Sequence, residues 1–364
     1  MATRTESSVT REEIAQSLLG KSGKFAAWFR LYDDLLSRRR FQTHPPTSSK
    51  TITNSEIVAI AKLLRHNVRW TRDQLTTHLL NETGNDYGIV DLEIALEIAV
   101  QVMFLVDCDA TTWHAAEYRL GGIRPTCWAS SESFCAFMQR AFPRSTNVKN
   151  TASVLQDQHA LKGWKLEKRL GLTVKGTIDL SNHLLYDPRH NVVYVFHHVA
   201  FLQAHLNGFA KDIPFDSTLE DCLLKGALPP RLICETLHSL QSILFPSIDQ
   251  KAHKMMQRLI KEGGFDPECE QYSGYRHKDL HVGRHELQYE YWGERLAILH
   301  RLFIHKPPRN GIERWVRWRS SEANALALAM LALFISIVVG LVSIGLSAVQ
   351  IWIAWMAWKH PMEV

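Results

Sequence analysis

The sequence predicts a mainly α-helical protein with a small β-hairpin, winged-helix-like at best, and one C-terminal transmembrane helix. Three observations predict this class. Apolar residues recur at three- and four-residue spacing through most of the chain before position 306, strand-like patterning is confined to a stretch near 177–197, and Ala323 to Trp358 holds no charged residue.

Residues 1–150 read as a helical cytosolic lobe. Lys24 to Arg40 places Phe25, Trp28, Phe29, Tyr32 and Leu36 on one helix face, and the proline-bearing stretch Phe41 to Lys50 ends that helix. A second helix starts with Asn54 or Ser55 as cap and carries Ile57, Ile60, Ala61 and Leu64. A third starts at Thr71, where Thr71 and Gln74 have capping-box spacing, and carries Leu75 and Leu79. Gly84 to Gly88 is a turn. A fourth helix, Asp91 to Cys108, is apolar but interrupted by Glu93, Glu97 and Gln101, which makes it a core helix and not a span.

Residues 151–285 read as an α+β segment after a surface loop at Pro143 to Ser153. Ile178, Leu180 and Leu184 partly alternate with polar residues, Asp187 to Asn191 supplies turn chemistry, and Val192 to Phe196 is β-branched and aromatic, so a hairpin is expected near 177–197. Helices follow at His198 to Leu206, Pro230 to Leu244 and Ser247 to Glu262. Residues 286–306 hold an amphipathic helix with Trp292, Leu296, Leu299 and Phe303 in one stripe. Pro307-Pro308 separates it from a collar at 307–322 that contains Arg314, Arg317 and Arg319 with Trp315 and Trp318.

The charge-free run covers 36 positions. As one helix it is ~54 Å long against a hydrocarbon core of ~30 Å, so only ~20 to 25 residues lie in lipid. The span is placed at 325–349, through Ala325, Leu333, Gly340 and Val349, with an aromatic extension to 358 in which Trp352 and Trp355 sit at headgroup level. Five cations between Lys306 and Arg319 precede it and only Lys359 follows, so the N-terminal bulk is expected in the cytosol and residues 359–364 form a short lumenal or exoplasmic tail. Tail-anchored insertion into an internal membrane, the endoplasmic reticulum first, is the expected route. Ser336, Gly340, Ser343, Ser347 and Gln350 recur at spacings of four, three, four and three, a small-residue seam on which a second copy or another membrane helix can pack.

Composition narrows the function. The formal net charge is +5, of which the stretch from Lys306 to Arg319 supplies +4, so the rest of the chain is close to neutral. Although the helices at Ser55 to Arg65, Thr71 to Leu80 and Asp91 to Cys108 with the later hairpin have the order of a winged-helix module, neutrality argues against nucleic acid as a partner. Six scattered cysteines without CxxC spacing argue against disulfides or a zinc ribbon. Met1 to Glu13 has no apolar h-region, so no secretory signal is expected.

His277, His281 and His285, spaced by four and four, are the metal candidates, although Gly283 interrupts the stretch; His197, His198 and His205 are expected to pack or face solvent. Phosphate-loop, dinucleotide, zincin and serine-elbow motifs are missing, and no cofactor is expected. The expected role is a membrane-bound interaction or scaffold protein with a cytosolic protein partner. The rival is a membrane-tethered enzyme with a His-based metal site.

The segment Tyr289-Glu290-Tyr291-Trp292-Gly293-Glu294-Arg295-Leu296-Ala297-Ile298-Leu299, then Glu313-Arg314-Trp315 through the span to Ala357-Trp358-Lys359-His360-Pro361, resembles the C-terminal part of a group of filamentous-fungal single-pass membrane proteins of unknown function. Val195-Phe196-His197-His198-Val199-Ala200-Phe201-Leu202 is similar to the same group. The resemblance implies a single span and brings no activity and no catalytic residue.

Overall fold

The computed structural model describes residues 10–23, 25–42, 52–83, 87–108, 127–145, 157–271, 289–305 and 322–359. Two compact units divide the chain, Met1–Ile304 and His305–Val364. The architecture is mainly helical with one small sheet and a long apolar C-terminal helix, as the periodicities predict.

In the first unit, α1 (Arg11–Leu19) opens at Thr10. The Thr10 side chain accepts from the Glu13 amide and the Glu13 carboxylate accepts from the Thr10 amide, a reciprocal cap that a reading of this end as merely charged overlooks. After α2 (Ala26–Gln42) comes α3 (Asn54–His66), whose cap is Thr53, paired with Glu56, and not Asn54 or Ser55. The box predicted for α4 (Arg72–Thr83) holds: the Thr71 amide donates to Gln74 Oε1 at 2.9 Å and the Gln74 amide to Thr71 Oγ1 at 3.2 Å.

The central helix of the unit is α5 (Ile89–Phe104), buried almost continuously from Ala95 onward. It ends before the predicted Cys108, because Leu105 takes a left-handed conformation with φ 48°. Trp28 donates its indole N–H to the Val102 carbonyl, and Arg72 holds the buried Glu97 at 2.6 Å, which is how a carboxylate survives inside an apolar helix.

Past α6 (Phe134–Ala141) and α7 (Gly163–Leu170), the sheet has the order β1-β3-β2. The hairpin consists of β2 (Leu185–Asp187) antiparallel to β3 (Val192–Phe196), with Tyr186 opposite Val193. Its first arm is shorter and later than Ile178 to Leu184 suggested. Asp179 accepts from the Ser181 amide and starts a 3-10 turn at Leu180–Asn182, and Leu184 at φ 58° redirects the chain. The sequence reading also misses β1 (Thr173–Thr177), which pairs parallel with β3. That strand carries Val174 as its only large apolar residue, so it has almost no alternation to read.

The remaining helices are α8 (Val199–Asn207), α9 (Leu219–Leu224), α10 (Pro230–His238), α11 (Gln250–Gly263) and α12 (Gly293–His305). The helix predicted from Pro230 to Leu244 is α10 followed by a π-helical turn, Ser239–Leu244. Asp249 caps α11 by accepting from the Lys251 and Ala252 amides, and Gly264 at φ +70° ends it. One core cluster runs from Ile14 to Leu299.

The second unit contains α13 (Glu322–Lys359), one unbroken helix of 38 residues.

Candidate functional site: the apolar helix and two buried polar clusters

Within α13 the stretch long and apolar enough to cross a membrane is Ala332–Met356, 25 residues with mean hydropathy 2.5 and no share of it buried. It shares Ala332 to Val349 with the predicted 325–349. Ala325 falls in the opening turns of α13; Leu333, Gly340, Val349, Trp352 and Trp355 are exposed. Lys359 Nζ lies 4.8 Å from the Trp355 ring centre, a cation and an aromatic together at the end of the span. Ser336, Gly340, Ser343, Ser347 and Gln350 follow one helix face. Ser347 Oγ donates back to the Ser343 carbonyl at 2.9 Å, and a Cβ added at Gly340 meets nothing within 4 Å. Arg314, Arg317 and Arg319, and likewise His277, His281 and His285, lie outside the described residues.

Two polar clusters are buried in the first unit. The first joins α10, the turn after it, the hairpin and the start of α12. Glu235 is fully buried and its carboxylate accepts the backbone N–H groups of Glu290 (2.7 Å), Tyr291 (2.9 Å) and Trp292 (3.1 Å). These amides lie in the turn that leads into α12, so Glu235 holds that turn from inside the chain. Burial pushes its carboxyl up to about 7, against the pull of the three amides and of Arg231. Trp292 donates its indole N–H to Thr236 Oγ1 at 2.8 Å, Thr236 donates to the Leu232 carbonyl, and the Tyr289 hydroxyl meets His238 Nδ1 at 2.7 Å.

His183 completes this cluster. Its Nδ1 accepts the Phe196 N–H at 3.1 Å, so the neutral ring carries its proton on Nε2, which donates to Ser239 Oγ at 2.7 Å; Ser239 donates in turn to the Thr236 carbonyl. A serine 2.7 Å from a histidine resembles a nucleophile and its base. The tautomer opposes that use, because a base must offer a bare nitrogen to the hydroxyl, and both side chains are buried. Burial, with Arg295 nearby, holds His183 well below the usual imidazole range. Arg295 donates to the Ser181 and His183 carbonyls and stacks 5.0 Å from the Trp292 ring. Asp179, half-buried, is pushed up to about 7 by the loss of solvent around its carboxyl. Leu105, one of two left-handed leucines bordering this region, accepts the Leu180 N–H on its carbonyl at 2.7 Å; the other is Leu184.

The second cluster is His197, His198 and His205. His197 accepts the Asp266 N–H on Nδ1 and stacks on His198 at 4.4 Å and on Phe265 at 4.7 Å. His205 lies against Phe201 at 4.4 Å. Neither ring nitrogen of His198 or of His205 finds a hydrogen-bond partner of ordinary geometry, although the Met103 carbonyl lies close enough to His205 to raise its pKa slightly. Burial lowers His197 to about 4 and both His198 and His205 to about 3. Of the two roles expected for these residues, packing is the one the structure shows. Among the described residues, no three His, Cys, Asp or Glu side chains group as metal ligands.

Sequence reasoning did not single out Glu235, His183, Ser239 or Thr236, because the bonds from Glu235 to Glu290, His183 to Ser239 and Trp292 to Thr236 span more than 50 positions and leave no local pattern. No protein-family model, no curated protein and no solved structure matches the chain.

Proposed function

We propose that this chain is a single-pass membrane protein of an internal membrane, with residues 1–304 forming a cytosolic interaction or scaffold body. The observation that carries the reading is the bare apolar stretch Ala332–Met356. A core helix of that hydropathy is covered by its own fold, whereas this one exposes Leu333, Phe334, Ile335 and their successors along its length. The orientation rests on the five cations between Lys306 and Arg319, which stay cytosolic, against Lys359 on the far side.

A scaffold role is supported by the commitment of Glu235, His183 and Ser239 to internal hydrogen bonds. The segment that resembles the fungal group turns Tyr289, Trp292 and Arg295 inward, which supplies a packing reason for that pattern. The seam through Gly340 is the face proposed for a second copy or another membrane helix.

After insertion into microsomes, the full chain is expected to resist alkaline extraction. An acceptor sequon appended after Val364 is expected to be glycosylated, and Asn81-Glu82-Thr83 is not. Complete release by alkali sinks the anchor, and the reverse glycosylation pattern sinks the orientation. Gly340→Leu is expected to leave extraction unchanged and to abolish cross-linking between tagged copies if the seam joins them.

A further inference from the structure

The body is near neutral on average and sharply polarised in space. Residues 162–170 and 246–264 together carry eight cations and three anions, a net +5, which leaves −4 for the remainder of the chain outside the Lys306 to Arg319 stretch. The fold brings the two segments together. The pair Arg258–Glu167, at 2.9 Å, ties α11 to α7, and Lys162–Asp249, at 2.7 Å, ties the residue before α7 to the cap of α11. On α11 the exposed Lys251, Lys254, Arg258 and Lys261 follow one another at three, four and three, while Ala252, Met255, Met256 and Leu259 are buried on the opposite face. Glu270 borders the stripe at Gln257 and His253.

This cationic face has an apolar tip. Ile248, on the loop leading into α11, is 99% exposed, the most exposed large hydrophobic residue in the described chain. The half-buried Trp164 reaches Asp249, the residue after Ile248, and has Lys251 Nζ 4.7 Å and Lys165 Nζ 5.8 Å from its ring centre. An aliphatic tip, an indole and a ring of lysines match the layered chemistry of a bilayer surface: hydrocarbon, interface and anionic headgroup.

The face also adjoins α12, the last helix of the first unit. Arg169 of α7 stacks 4.3 Å from the Phe303 ring in the last turn of α12, and His300 meets Asp157 at 3.1 Å just before α7. From His305 the chain has only residues 306–321 before α13 begins, a reach of at most about 55 Å even fully extended. A body tethered this closely meets the leaflet at high effective concentration, so weak contacts suffice to hold it.

We propose that the face built by α7, α11 and the Ile248 loop docks onto the anionic headgroups of the leaflet in which α13 is anchored. The proposal rests on the reading of Ala332–Met356 as an anchor. The test uses full-length protein in lipid nanodiscs, with Ile248→Cys carrying an environment-sensitive fluorophore and identically treated wild type as the labelling background.

Emission is expected to rise at least twofold and shift to the blue in nanodiscs containing phosphatidylserine relative to phosphatidylcholine alone. The rise should disappear in 1 M salt and in the triple variant Lys168→Glu, Lys254→Glu, Lys261→Glu, all three at exposed positions whose change should leave the melting curve intact. A probe that reports water in both lipids overturns the proposal, as does a response to an added RNA duplex that exceeds the response to phosphatidylserine. Alkaline extraction of the same preparations reads the anchor separately, so loss of the span and loss of the docking face give different results.

Discussion

The two buried histidine clusters of the first unit meet at the end of β3, where His183 takes the Phe196 amide and His197 and His198 follow, and they solve the same problem in opposite ways. Around His183 the polar groups named here are joined: imidazole to serine, serine to carbonyl, indole to threonine, and carboxylate to three amides. Around His198 and His205, also buried, the rings lie against Phe196 and Phe201, and no ring nitrogen makes a hydrogen bond of ordinary geometry. Burial of a polar group is tolerated when its hydrogen bonds are replaced and is a standing cost when they are not. The first cluster should therefore be fragile to truncation, and the second should be tolerant of apolar replacement and sensitive to acid.

The largest effect is expected at Glu235. Glu235→Ala strands three amides at the start of α12 and is expected to cost about 3 to 5 kcal/mol in denaturant unfolding. A loss under about 1 kcal/mol would mean that the amides find water and that the carboxylate is dispensable.

Acid comes next. The buried His183, His197, His198 and His205 are neutral when folded and take up protons when unfolded as pH falls below about 6.5. Their contribution is present above that value and is lost toward low pH. Glu235 and Asp179, raised to about 7, act in the opposite direction, binding protons in the folded state that the unfolded chain has released. Four imidazoles outweigh two carboxyls, so stability is expected to fall by about 2 kcal/mol per pH unit between about pH 6 and 5. His198→Phe with His205→Leu should remove most of that slope, and a slope left unchanged would assign the acid sensitivity elsewhere.

Thr236→Val removes the acceptor for the Trp292 indole and should cost about 1 to 2 kcal/mol at neutral pH. The smallest effect, and the one that separates the clusters most directly, is His205→Leu. At about pH 7.5 it should be neutral or stabilising by up to about 1 kcal/mol, because an apolar side chain replaces unpaired nitrogens in an apolar site. A clear destabilisation would show that His205 is satisfied after all, and the contrast between the clusters would then fail.

These clusters also show where sequence reading stops. Periodicity identified the helices because an amphipathic helix repeats its apolar face every three or four residues, as Ile57, Ile60, Ala61 and Leu64 do in α3, and it identified β3 from Val192 to Phe196. The box at Thr71 and Gln74 was legible for the same reason, since both partners lie within one turn. The parallel strand β1 was not legible, because its identity depends on a partner some twenty positions away rather than on its own residues. Average charge hides the cationic face: the cations of α7 and of α11 are brought together only when Arg258 pairs with Glu167.

The sequence alone determined the class of the molecule, its helical body, and the apolar helix at its C-terminal end. Hydrophobic periodicity and an uncharged run are local properties, and local physics reads them. Tertiary structure decided that Glu235 would hold the turn before a helix beginning at Gly293, that His183 would keep its proton on Nε2, and that two lysine-bearing helices would be joined by an ion pair. Each of these depends on which distant groups burial brings within hydrogen-bonding or Coulombic range, and chain order does not contain that information.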